Sequence, residues 1–322
     1  MTSKKKLLAI INPISGTHQK SDIPKAIKEV LDSSLYDIDI CFTEYAGHAT
    51  LLAKEAVSSN LDCVLSIGGD GTCNEIAKAL VHSNTALGII PMGSGNGLAR
   101  HLDIPMDVMG ALKIINERNI VSLDYCKANE KLFFCTCGVG FDALVSRRFA
   151  EDKHRGGMTY VKKVVTEYLK YKTETYLIVS ENGKIKEKAF LIACANASQY
   201  GNNAYIAPHA NMQDGKIDVT IILPFTPFDI APMAVQLFTK VIDKNPNIRT
   251  FETPYLKIIR EKPGIMHIDG EPVEMDKEIE IKCIRNGLKV VIPQENSKKL
   301  FIEPIHTAFW EVIDTIKTEL DI

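Results

Sequence analysis

Apolar positions in the first part of the chain come in short runs separated by helical patterns. KLLAII, DIDICF, CVLSI and LGIIP are compact and rich in branched side chains, as buried strands are. Amphipathic patterns start between and after them, near Pro24, Ala49, Asn74 and Gly97. This alternation predicts a parallel sheet wound with helices. From Leu123 the texture changes to strand runs with turn signals. Asn182-Gly183 predicts a hairpin between TYLIVS and AFLIACA, and Asn286-Gly287 a second between IEIKCI and LKVVIP. The second half therefore reads as mainly antiparallel and β-rich. One helical segment interrupts it, with Val161, Val164, Val165, Tyr168 and Leu169 on an apolar stripe. Phe301, Ile305, Phe309, Val312, Ile313 and Ile316 predict a last amphipathic helix that packs back on the first domain. The expected division is an α/β domain over 1–123, a β-rich domain over 124–293 and a returning segment over 294–322.

Length and composition narrow the class. With 322 residues, 45% hydrophobic, 24% charged and a net charge of -2, the chain is an ordinary globular protein with no global field for nucleic acid. Eight cysteines lie scattered without a C-x-x-C pair, several inside apolar runs, so a reducing cytosol fits and zinc is not expected. The opening MTSKKKLLAIINP pairs a basic head with an apolar run that stops at Asn12-Pro13, too short for the core of a secretory signal. Nowhere do 18 apolar residues follow one another, so no transmembrane span is expected. Whether the chain forms a homo-oligomer stays open.

Three strand ends run into small or polar turns: IINPISG at 10–16, SIGGDGT at 66–72 and IIPMGSGNG at 89–97. In a wound parallel sheet the carboxyl ends of the strands share one edge, where ligands bind. Glycine lets the main chain approach a ligand, and the helix that follows adds its positive dipole end, so phosphate is the natural occupant. No G-x-x-x-x-G-K-[ST] is present, and GSGNG lacks the dinucleotide spacing. Asp70 stands among the glycines where phosphate would lie. It either holds magnesium against phosphate oxygens or caps a helix.

GGDGTCNE, with NPISG upstream and PMGSGNGLA downstream, resembles the diacylglycerol kinase catalytic-domain family, which includes bacterial diacylglycerol kinases and the sphingosine and ceramide kinases. NMQDGKIDV and IDGE extend the resemblance to about residue 293. It implies an α/β nucleotide domain followed by a β-rich, sandwich-like lipid-binding domain, with ATP and Mg2+ as cofactors. It also implies a lipid acceptor, diacylglycerol or a sphingoid base, met at the membrane surface. Carried over by position, Asn12, Pro13, Ile14, Ser15, Gly16, Thr43, Gly68, Gly69, Asp70, Gly71, Thr72, Cys73, Asn74 and Ser94 look like ATP contacts. Asp70 and Asp124 resemble members of an aspartate network around the catalytic magnesium. Asn211, Asp214 and Lys216 match a second, structural magnesium site, the first and third through main-chain oxygens. Glu271 matches the general base that takes the proton of the lipid hydroxyl. From the residues alone, both NMQDGK and DGEP read equally as plain turns.

One departure matters: Asn96-Gly97 stands where many bacterial diacylglycerol kinases have Asn-Asp, which brings GSGNGLA closer to the sphingosine and ceramide kinase branch. Asp142, in GVGFDALV, lies where the sphingosine kinases begin a segment that reaches the lipid head group, on a loose local match. A surface acid is the other reading. Residues 147–172 carry eight Lys or Arg against three acids, a face suited to anionic lipid or to solvent. Two other readings stand beside the lipid kinase: a GGDGT kinase acting on a soluble acceptor such as NAD, and a non-catalytic nucleotide-binding regulator.

Overall fold

The computed structural model describes residues 4–16, 20–151 and 170–294. The basic residues from Lys153 to Lys163, the apolar stripe 161–169 and the expected returning segment lie outside them. The chain divides into two compact units. Among the described residues, the first holds 4–16, 20–125, 212–214 and 284–294, and the second holds 126–151, 170–211 and 215–283.

The first unit is the α/β half. Strands β1 (Lys5–Ile11), β2 (Tyr36–Phe42), β3 (Cys63–Gly68) and β4 (Ala86–Pro91) pair in parallel in the order β2-β1-β3-β4. Helices α1 (Ile23–Val30), α2 (His48–Ser58), α3 (Asp70–Leu80), α4 (Gly97–His101) and α5 (Val108–Glu117) connect and follow them. β3 and β4 are buried along their whole length, which is why they read as unbroken apolar runs. The structure corrects one boundary with a chemical consequence. α3 begins at Asp70, four residues before the start expected from the pattern, so Asp70, Gly71 and Thr72 form a helix's first turn and not a loop. Glycine inside that turn hid the helical period.

The second unit is a β-sandwich. One sheet orders its strands β12 (Ile248–Thr253), β11 (Ile217–Ile222), β10 (Leu191–Ala195), β7 (Thr136–Gly140), β14 (Gly264–Ile268) and β15 (Glu271–Met275), all antiparallel. Facing it are β9 (Gly183–Ala189), β8 (Glu174–Ser180), β13 (Tyr255–Ile259) and the first part of β16 (Glu278–Val291), and β6 (Lys131–Phe133) pairs antiparallel with the end of β5 (Ile120–Ala128) in the same sheet. Alternate residues of both sheets, among them Cys137, Val139, Ile192, Cys194, Tyr176, Ile178, Leu256 and Ile279, fill the space between. The opposite face of the six-stranded sheet carries a second apolar cluster, joined by α6 (Phe141–Glu151) and α7 (Ile230–Phe238).

Both expected hairpins come out differently. Asn182-Gly183 does turn, but β8 pairs with GKIKEKA, residues 183–189, and not with AFLIACA. A strand lined with Lys184, Lys186 and Lys188 is suited to a sheet edge, because charges discourage pairing with other chains. The apolar run β10 goes instead between β7 and β11. Asn286-Gly287 makes no hairpin: β16 continues through it, with Asn286 at φ 52. Residues 278–282 pair antiparallel with β13, whereas Val290 pairs in parallel with Leu87 of β4. The left-handed residue is a kink between two pairing partners.

Candidate functional site

In the first unit the exits of the parallel strands are tied together by the main chain. The N–H of Asn12 donates to Ile67 O at 3.0 Å, that of Met92 to Gly68 O at 2.8 Å, and that of Thr43 to Ile11 O at 2.8 Å. All three glycine loops thus leave one edge of the sheet. Side chains add to this: Asn12 Nδ2 donates to Thr72 Oγ1 at 2.9 Å. The loops also touch through their bare backbones. A Cβ on Gly93 would lie 2.7 Å from Gly69 Cα, a distance real side chains essentially never adopt. The lack of a side chain at 93 is therefore required by the packing of one loop on the other, and a Cβ at 69 would be tight at 3.3 Å, a structural reason that stands beside tight turning and ligand approach.

Asp70 occupies the first helical position of α3, whose N-cap is Gly69, a residue with no side chain to cap it. Its two oxygens reach across to the next loop. Oδ2 accepts the N–H of Asn96 and Oδ1 that of Gly97, both at 2.7 Å. Asp70 thus caps the start of α4. Burial pushes its pKa up, opposed by these N–H groups and the Arg100 charge. Around it, Gly71 and Ser94 are exposed, Thr72 and Cys73 are buried, and Asn74 and Thr43 are half-buried. In the first loop Pro13 and Gly16 are exposed, Ile14 is 86% exposed and Ser15 is half-buried. Lys20, which sequence reasoning missed, is buried with its ammonium donating to Ser15 O, and burial lowers its pKa.

Asp124 is buried. Its Oδ1 accepts the N–H of Asn286 at 2.8 Å, and its own N–H donates to Met212 O at 2.7 Å. The carboxylate thereby holds the kink of β16. Asp214 is half-buried, with its carbonyl accepting from Arg285 at 2.7 Å. Among the described residues no three His, Cys, Asp or Glu side chains are grouped so as to hold an ion. Among the described residues there is thus no cage made only of acids. Asp70 suits the other way magnesium binds, through one or two carboxylates plus substrate phosphates. Its carboxylate already accepts the N–H groups of Asn96 and Gly97, so it would serve as one ligand among phosphate oxygens and not as a cage by itself.

In the second unit, Glu271 is exposed at the start of β15, directly after a two-residue turn in which Asp269 (φ 48) and Gly270 (φ 84) are both left-handed. This is the turn geometry that a tight hairpin favours. Its stiffness comes from Asp269, whose carboxylate accepts the N–H groups of Phe134, Cys135 and Thr136 at 2.9, 2.8 and 3.1 Å. Locally Asp269 is an ordinary turn residue, and nothing contiguous to it in sequence signals this bracing role. Arg260 holds the other end of the same hairpin: it is buried and donates to the carbonyls of Gly264, Ile265, Met275 and Asp276. Of the NMQDGK turn, Asn211 and Lys216 are exposed, and Lys216 pairs with Glu252 at 2.7 Å. The pairing of β10 with β7 and β11 brings the start of β11 to the end of the sheet that carries Asp269.

Asp142 is not a surface acid. Its side chain is 10% exposed and accepts from His267 Nε2 at 3.1 Å and from the Tyr200 hydroxyl at 3.2 Å. Gly138 makes room for the pair, since a Cβ there would meet both. No local pattern in the sequence could have joined residues 142, 200 and 267.

Residues 6–128 match the diacylglycerol kinase catalytic domain, and residues 135–292 match the YegS C-terminal NAD kinase beta sandwich-like domain. The chain belongs to the diacylglycerol kinase catalytic-domain family. It is 28% identical over 264 residues to a "Probable lipid kinase YegS-like" of Klebsiella pneumoniae (strain 342), covering 80% of this chain and 87% of that one. It is 38% identical over 133 residues to a "Diacylglycerol kinase" of Staphylococcus aureus (strain bovine RF122 / ET3-1), covering 40% and 42%. In fold it is similar to the crystal structure of a diacylglycerol kinase from Bacillus anthracis str. Sterne, with a TM-score of 0.69, 20% identity, and 91% and 98% of the two chains covered. All three glycine loops fall inside the segment that matches the diacylglycerol kinase catalytic domain, and the Asp269–Glu271 hairpin falls inside the second matched segment. The chain is thus of a kinase family with an α/β half and a sandwich half.

Proposed function

We propose that this protein transfers the γ-phosphoryl group of ATP to the hydroxyl of a lipid, diacylglycerol or a sphingoid base. The observation that carries the reading is the convergence of three glycine loops on one edge of the parallel sheet, at the N-terminus of α3, whose N-cap is a glycine. A triphosphate suits that edge because helix N–H groups and the dipole favour anionic oxygens. On this reading the loops 12–16, 68–74 and 92–97 and Thr43 hold ATP. Magnesium, held by Asp70 with phosphate oxygens, would neutralise charge on the transferring group. Asp124 contributes by keeping β16 in place, and Asn211, Asp214 and Lys216 would hold a second, structural ion. The exposed Glu271, on its braced turn, accepts the proton of the acceptor hydroxyl. That oxygen forms the new bond to phosphorus as the bond to the ADP oxygen breaks. The names of the relatives support a lipid as acceptor. On this reading the protein works in the cytoplasm and visits the membrane surface.

The test is transfer of radiolabel from γ-labelled ATP by the purified full chain, offered a total lipid extract in one reaction and NAD in another. We expect label in lipid. With Glu271→Gln, lipid phosphorylation should fall by ~10²- to 10⁴-fold while ATP affinity is unchanged. Label in NAD alone would establish the soluble-acceptor alternative. Full activity of the Gln variant would remove Glu271 from the chemistry.

A further inference from the structure

Among the described residues, the surface of the second unit carries an exposed apolar feature after β11. After β11 the chain reads PFTPFDIAPMAVQLFTK, and Phe228 is 80% exposed. α7 follows with no charged residue from Ile230 to Phe238, yet Met233 is the one residue of that helix that is buried. Leu237 packs against the apolar cluster beneath, while Ile230 and Val235 are only partly buried. The acids nearby are turned to local work. Asp229 closes a capping box with Thr226, and Asp243 lies 3.6 Å from His209. The cations stay outward: Lys240 and Lys244 are exposed at the carboxyl end of α7, and Lys240 Nζ sits 4.4 Å above the Tyr205 ring.

We propose that Phe228 and α7, rimmed by Tyr205, Lys240 and Lys244, form the surface by which the second unit rests on an anionic bilayer. The inference builds on the lipid-acceptor reading. Nine residues of helix are too short to cross a membrane, and an apolar helix with exposed lysines past its carboxyl end, and with the one acid at its start, Asp229, bonded to Thr226, is what an interfacial helix presents. A tyrosine under a lysine suits the headgroup level, where amphipathic rings and cationic tips meet phosphate. A second copy of the chain fits less well. A stable protein interface takes roughly 800 Å² per partner, more than one phenylalanine and a short helix offer, and a copy brings the same lysines against themselves.

The experiment is co-sedimentation of the full chain with vesicles of phosphatidylcholine containing phosphatidylglycerol, and with phosphatidylcholine alone, without ATP or acceptor lipid. We expect binding to the anionic vesicles that weakens with salt. Phe228→Ala should weaken it by about tenfold, the worth of one buried aromatic ring. Replacing both Lys240 and Lys244 by Ala should cost roughly fivefold for each charge and flatten the salt dependence. Phe228→Trp should bind like the parent and shift its fluorescence to the blue on vesicles. Phe228→Asp that binds vesicles as tightly as the parent, or a parent that binds neither vesicle, overturns the proposal. So does a dimer in light scattering that Phe228→Asp converts to monomer, since a second copy then covers the face. The kinase reading fails separately: vesicle binding with no lipid labelled leaves this surface standing, and lipid labelled without vesicle binding leaves the kinase standing.

Discussion

Replacing Asp269 tests how the proposed base is held. Three N–H groups, those of Phe134, Cys135 and Thr136, end on its carboxylate. Hydrogen bonds to an ionised acceptor are worth ~1.5–3 kcal/mol each when buried, and ~1 kcal/mol each is the fairer figure at a half-buried side chain. Asp269→Ala therefore loses ~3 kcal/mol of bonding. It also places alanine at φ 48, which costs ~1 kcal/mol more. Asp269→Asn separates the two contributions. Asn tolerates the left-handed turn, and its one carbonyl oxygen can stand where Oδ1 takes Cys135 and Thr136. Its amide then faces the N–H of Phe134, a loss of ~1–2 kcal/mol. At ~2–4 °C per kcal/mol for a unit of this size, Asn should lower the thermal midpoint by ~2–8 °C and Ala by ~8–16 °C. Hydrogen exchange at residues 134–136 should quicken in the same order. Because Glu271 begins the strand after this turn, lipid phosphorylation should fall with unchanged ATP affinity. Equal midpoints for the Ala and Asn variants, or a loss under ~1 kcal/mol for Ala, would show that the carboxylate does not hold the loop.

Other variants probe the remaining supports. Gly93→Ala puts a Cβ 2.7 Å from Gly69 Cα, so the loops must part. Calorimetry should show ATP binding weakened by ~10-fold or more and a stability loss of ~1–3 kcal/mol, whereas normal binding would mean that the contact is dispensable. Asp70 carries a raised pKa, so the stability tied to its protonated form is present below the ordinary carboxylate value and is lost as pH rises through the folded value. Wild type should therefore gain on Asp70→Asn as the pH is lowered through that window, and parallel melting curves for the two proteins would contradict it. Asp70→Asn should also be destabilised at neutral pH in so far as one amide oxygen cannot serve both Asn96 and Gly97. Arg260→Lys keeps the charge but cannot reach four carbonyls. It should cost ~2–4 kcal/mol in denaturant unfolding, and a loss within ~0.5 kcal/mol would make the clamp ornamental.

Much of the architecture was open to reading along the chain because its causes are local. Buried parallel strands are apolar throughout, so β1, β3 and β4 announced themselves, and the glycine-rich exits between strand and helix marked the edge where ligands bind. The NPISG, GGDGT and GSGNG motifs named the family for the same reason, since each is a few contiguous residues. What the chain could not reveal is set by partners far away in sequence. Asn-Gly at 286 is a hairpin signal locally, but each half of β16 gains more by pairing with a different strand than by folding back on itself. Whether Asp70 capped its own helix or reached elsewhere depended on the loop 26 residues on. Asp269 is an ordinary turn residue until the fold brings three N–H groups to it from residues 134–136. Asp142 is a surface acid by pattern and a buried one only because β14 delivers His267 to it. A carboxylate's solvation and hydrogen bonds arise from whatever the chain packs around it, so its identity is written in the sequence and its role is decided by tertiary structure.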